Sequence, residues 1–164
     1  MNRRKTTACL LALASMWMAA APVAAHHGWG YYDTSGPLYL RGQISAVDWR
    51  NPHPSVVLQV AEAALPASWT GLPVPPELRA LGFEATLARA RPAAQAGAWM
   101  LDLAPINRLE SWGMPRPPRV GDALVAIAFP SCTQPRVARP VLIVLDGIGV
   151  RQQSVALPAG CSSR

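Results

Sequence analysis

The sequence predicts an all-β domain with small α content: an OB-like, partly open Greek-key β-barrel with one short helix. Three observations predict it. Period-2 alternation recurs in "LYLRGQISAVDW", "SVVLQVAEA" and "AWMLDLAP", the spacing of strands with one buried face. A short helical segment, "INRLESWGM", follows the third of these. A strand in "DALVAIAFP" comes next, and "PVLIVLDGIGVRQQSVAL" then reads as two strands about Asp146-Gly147, a strong hairpin dipeptide. A β-sandwich is the competing arrangement.

The chain opens with "MNRRKTTACLLALASMWMAAAPVAA". Arg3, Arg4 and Lys5 precede an apolar stretch from Ala8 to Ala21, and Val23-Ala24-Ala25 supplies small residues. These are the three parts of a secretory signal peptide. Pro22 disfavours cutting after Ala21 or Ala24, so the expected bond is the one after Ala25. The chain then divides into a signal peptide, 1–25, and a single domain, 26–164, with a periplasmic destination. The apolar stretch falls short of the roughly 20 residues that span a bilayer. No later run is longer, so no stable membrane insertion is expected after cleavage.

Of the 15 Lys and Arg, the signal removes Arg3, Arg4 and Lys5, leaving twelve against 9 acids, a net charge of +3 rather than +6. The remaining bases are all arginine and are scattered, with no run and no interleaved aromatics. Nucleic-acid binding needs a clustered basic footprint and is set aside. Two cysteines remain, Cys132 and Cys161. Exported proteins with an even count pair them. Closing a loop of 29 positions gives roughly 3 kcal/mol in the chain-entropy model. The bridge ties the C-terminal tail to the loop after Phe129. A two-thiolate metal site finds no CxxC spacing and no nearby His to support it.

Each element has its own signal. In Leu38 to Trp49 the apolar positions are Leu38, Leu40, Ile44 and Val47, with Gly42 where a bulge or sharp curl falls. "RNPHP" is a turn, because its two prolines forbid ladder pairing. Val56, Leu58 and Val60 share one face of the second strand, and Trp99, Leu101 and Leu103 one face of the third. Residues 65–96 form a Pro/Ala-rich insertion, with a short helix from Pro76 to Leu81 and a strand from Phe83 to Arg89. "INRLESWGM" is one or two helical turns closed by Gly113. Gly121-Asp122 leads into the following strand, Asp122 ordering the turn. Glu110 is expected to face solvent or to pair with Arg108 or Arg79.

Several of these motifs occur together elsewhere. "AHHGW" at Ala25 to Trp29, Tyr32-Asp33, "WRNPH" at Trp49 to His53, the run from Trp99 through "LAP" and "RLE" to Gly113, and "VGDAL" at Val120 to Leu124 resemble a family of small exported bacterial proteins, a domain of unknown function. The resemblance covers the chain from Ala25 onward except the insertion. It implies a periplasmic β-rich fold and brings no established activity. The long insertion and Cys132 depart from the family pattern.

The three histidines are His26, His27 and His53. Cleavage after Ala25 frees an α-amine on His26, whose ordinary pKa of about 7.7–8.0 leaves a useful neutral fraction. That amine and the His26 imidazole can close one chelate ring, and His27 or His53 can add a further nitrogen. All-nitrogen tetragonal coordination suits Cu(II), so copper is the expected cofactor if there is one. The plain alternatives are a mobile terminus and a turn histidine whose imidazole caps a backbone group.

Trp29, Tyr32, Asp33, Trp49, Asn51 and Trp112 are candidates to line a shared pocket, with barrel packing as the default for the tryptophans. No serine nucleophile elbow, phosphate loop or spaced carboxylate pair is present. The expected function is a non-catalytic periplasmic binding module with an unidentified protein or small-molecule partner. The alternatives are a metal-dependent oxidoreductase using the same histidines and a metal-free protein-binding domain.

Overall fold

The computed structural model describes residues 28–61, 65–158 and 160–161. Seven strands run in chain order: β1 (Leu38–Asp48), β2 (Ser55–Val60), β3 (Arg91–Pro92), β4 (Gly97–Asp102), β5 (Ala123–Pro130), β6 (Val137–Leu145) and β7 (Ile148–Arg151). Three short helices interrupt them: α1 (Pro76–Arg79), α2 (Phe83–Leu87) and α3 (Ile106–Ser111).

Five strands close a ring in the order β1-β2-β4-β6-β5 and back to β1. All contacts in the ring are antiparallel except β4–β6, which is parallel. This is the Greek-key barrel expected from the strand order, with α3 between the third and fourth barrel strands. Where the sequence suggests a partly open barrel, the ring is closed. Its shortest join is β4–β6, which has two register pairs, Met100↔Val137 and Leu101↔Ala138. Beyond that join β7 pairs with the second half of β6 and sends Val150 into the barrel core.

Within the ring β1 serves two neighbours, pairing with β5 through its first half and with β2 through its second. That demands a curl. A Cβ at Gly42 would overlap the Gln59 carbonyl, so glycine lets β2 approach there. The bulge falls slightly later, between Ile44 and Ala46.

The barrel interior is filled by Leu40, Ile44, Leu58, Leu101, Leu124, Ile143 and their neighbours, the first four on positions read from sequence as apolar strand faces. A second core lies outside the ring. Tyr39, Ile127, Phe129, Val141 and Leu142 on the outer faces of β1, β5 and β6 pack against Leu78, Phe83 and Leu87 of the insertion. Strands buried on both faces read as continuous apolar runs, which accounts for "ALVAIAF" and "VLIVL".

Three expectations for the insertion and helices need correction. The structure has three short helices, where the sequence suggests one beside the barrel and one in the insertion. The segment from Phe83 is helical rather than extended. Phe83 and Leu87 lie four apart and are both buried while Ala85 is exposed, a pattern that fits one helix face and not one strand face. Gly82, with φ 79°, enters this helix in the left-handed region that glycine adopts without cost. α1 ends at Arg79 rather than Leu81. The insertion also presses on β7, because a Cβ at Gly149 would overlap the Pro73 carbonyl. Among the described residues no helix is long and apolar enough to cross a membrane.

Because residues 65–96 supply one wall of a core, Phe83→Ala is expected to lower stability by about 3–5 kcal/mol. Val155→Ala, at an exposed site, should stay within about 0.5 kcal/mol of the parent. Urea denaturation compares them; equal, mild effects would mean that the insertion is merely appended.

Candidate functional site

The first described residues are laced onto the end of β5. Trp29–Tyr31 form a single 3-10 turn. The Asp33 amide donates to the Pro130 carbonyl at 2.8 Å, and the Cys132 amide donates to the Tyr31 carbonyl at 2.9 Å. The Thr34 hydroxyl donates to the Pro158 carbonyl at 2.7 Å. Cys132 is bonded to Cys161, as the cysteine count implies. Residues 31–34 are therefore held on one side by the strand end and on the other by the disulfide-tied tail.

This lacing brings two aromatic rings onto an ion pair. Asp102 ends β4 and Arg139 lies near the start of β6, so the register pair Leu101↔Ala138 puts them across the short join from one another. Arg139 Nη1 lies 3.4 Å from Asp102 Oδ2, with the two side chains only 14% and 13% exposed. The Tyr32 hydroxyl donates to the same Oδ2 at 2.9 Å. The Arg139 guanidinium lies 4.9 Å from the Trp29 ring centroid and 5.9 Å from that of Tyr32, within cation–π range. Trp29 also meets Phe129 edge-on, with centroids 6.2 Å apart, and Phe129 is the cross-strand partner of Arg139.

Burial, and then the Asp102 charge, hold the Tyr32 phenol well above the usual tyrosine range. It stays protonated and serves as a donor. Chemically the group is a clamp that fixes the N-terminal segment to the barrel.

The NPHP turn belongs to the same end. Ser55, two residues after His53, is the register partner of Asp102, and the Leu103 amide donates to the Pro54 carbonyl at 2.9 Å. His53 itself is exposed. Asn51 Oδ1 accepts from the Ile106 amide at 3.0 Å, joining the turn to the start of α3.

Residues 12–71 match the model of a family of unknown function, DUF6152. The matched span contains Trp29, Tyr32, β1, the NPHP turn and β2. Asp102 and Arg139 lie outside the DUF6152 span. No curated protein and no solved structure matches the chain.

His26 and His27 lie outside the described residues. The other candidates fall into two groups. Trp29 and Tyr32 meet in the clamp, with ring centroids 6.4 Å apart, and Asp33 follows them in a turn in which its Oδ1 accepts from the Ser35 amide at 3.0 Å. Trp49 and Trp112 instead pack against the barrel core, near Asn51 and α3. Arg151 and Arg108 lie 4.9 and 5.9 Å from the Trp112 ring. Among the described residues no three His, Cys, Asp or Glu side chains gather into a metal-binding group.

Asp122 orders its turn as expected, accepting from the Arg119 amide at 2.7 Å and from Arg116 at 2.6 and 3.0 Å. The Arg116 hydrogen bonds hold its carboxyl below the usual range. Arg79 pairs with Glu84, at 3.2 Å, and Glu110 is exposed. Sequence reasoning singled out the two clamp aromatics but missed Asp102 and Arg139. Asp102 takes the outward place in an alternating strand, which ordinarily means solvent. The one available signal is that Arg139 opens an otherwise continuous apolar run.

Tyr32→Phe removes a donor from a mostly buried carboxylate and is expected to cost about 1–3 kcal/mol near pH 7. Because folding raises this phenol's pKa above its ordinary 10.0, its stabilisation is complete below about pH 10 and is lost as pH rises further. Stability measured between pH 7 and 11 should thus fall more steeply in the parent than in Tyr32→Phe. Parallel pH profiles would show that the phenol does not carry this linkage.

Proposed function

We propose that this chain is an exported, non-catalytic binding module that holds Cu(II) at its processed N-terminus. The His26 amine and imidazole form the chelate, and His53 or His27 completes the nitrogen set. The leader-like N-terminus and the Cys132–Cys161 disulfide support export to the periplasm.

One observation carries the metal reading. The segment that follows the histidines is anchored, not trailing: Trp29 is stacked on Arg139 and Tyr32 is bonded to Asp102. His27 precedes Trp29 by two positions, and two residues span at most about 7 Å. His53 lies on the turn at that same end of the barrel, two residues from the partner of Asp102. An anchored terminus loses less conformational freedom when it binds a metal, which favours affinity. The charged groups of the clamp are engaged with each other, which supports a holding role rather than turnover.

Native mass spectrometry of protein purified from the periplasm, with one equivalent of Cu(II), tests both parts. The expected species starts at His26 and retains one copper. Retention should be lost in His26→Ala and weakened in His53→Ala. A species starting at His26 that retains no copper, or retention indifferent to both substitutions, contradicts the proposal.

A further inference from the structure

A groove of about 700 Å³ runs between the loop before β1 and the chain joining α2 to β3, lined among others by Asp33, Ser35, Gly36, Arg89 and Arg91. The function proposed above does not use it. Its volume is in the range of small-molecule sites. Its walls are fixed by backbone: the Arg91 amide donates to the Pro37 carbonyl at 3.0 Å, and β3 pairs with Leu38 and Tyr39 of β1. Ala90, between the two arginines, is buried.

The charges in this groove are left over from folding. Among the described residues neither Arg89 nor Arg91 has an ion pair or a side-chain hydrogen bond, in contrast to Arg50, Arg79, Arg116 and Arg139. Asp33 is only half engaged. Its Oδ1 accepts from the Ser35 amide and hydroxyl, while its Oδ2 accepts from no described residue. A Cβ at Gly36 would lie 3.4 Å from that Oδ2, so the glycine keeps the second oxygen uncovered. One concavity is thus lined by two arginines without ion-pair partners and by an aspartate with one carboxylate oxygen unengaged among the described residues. Guanidinium matches carboxylate geometry, and a free carboxylate oxygen accepts from ammonium or hydroxyl.

We propose that this groove binds a small carboxylate that also carries a hydroxyl or ammonium group, with the carboxylate on Arg89 and Arg91 and the donor on Asp33 Oδ2. The ligand class is that of simple hydroxy acids and amino acids.

Titration calorimetry on the processed, copper-free chain with L-malate and L-serine tests this independently of any metal. Acetate serves as the carboxylate without a donor. At least one of the two probes should bind, about tenfold more tightly than acetate. Arg89→Gln and Arg91→Gln, at exposed positions, should each weaken that probe by about tenfold. Asp33→Asn, which keeps the Oδ1 acceptor of the turn, should erase the preference over acetate. Thermal melts matching the parent establish that the variants are folded. Binding of neither probe, binding untouched by both arginine substitutions, or equal binding of acetate would each overturn the assignment.

Discussion

A barrel built from five strands must close somewhere, and here the closing join is the weakest part of the ring. β4 and β6 pair at only two positions, against seven for β5 and β6. The Asp102–Arg139 ion pair crosses this join with both side chains largely withdrawn from water. Charges in such a place depend on one another, because removing either leaves the other buried without a partner. Trp29 and Tyr32 cover the pair, and Tyr32 satisfies the carboxylate oxygen a second time. Closure of the barrel and anchoring of the N-terminal segment are therefore one arrangement.

The rest of this end follows from it. The Asp33 and Cys132 amides complete a short ladder with the β5 end, which only works if residues 31–33 are held alongside. The Cys132–Cys161 bridge brings in the tail, whose Pro158 carbonyl takes the Thr34 hydroxyl. The NPHP turn is bound to the end of β4, where the Pro54 carbonyl takes the Leu103 amide. Three parts of the chain distant in sequence thus meet around β4's last residue. Exposed pairs elsewhere contribute little by comparison. Asp48–Arg50 is well formed, but its side chains are 45% and 82% exposed, and such pairs are worth little in water.

The barrel was legible because its strands are half-buried. Alternation in β2 and β4 names Val56, Leu58, Trp99 and Leu101 as inward, and they are buried. The insertion was not legible, since Leu78, Phe83 and Leu87 pack against the outside of the barrel and their short helices carry less than two turns of periodicity. The hint lay in β5 and β6, whose unbroken apolar runs need two covered faces. For the clamp, sequence gave half the answer. Trp29 and Tyr32 stood out as aromatics beside the histidines. Asp102 and Arg139 did not, because their meaning is non-local: Tyr32 and Asp102 are 70 positions apart, and Asp102 and Arg139 37 apart. A single charge in an alternating strand looks the same whether water or an aromatic pair covers it.

The most direct test of this dependence is a double-mutant cycle of Asp102→Asn and Arg139→Gln, read by urea denaturation. If the ion pair and its aromatic cover act as one unit, each single change is strongly destabilising. The double variant then recovers part of the loss, with a coupling energy of about 1–3 kcal/mol. Additivity within about 0.3–0.5 kcal/mol would contradict it, and would leave the closing of the barrel to its two backbone pairs and to packing alone.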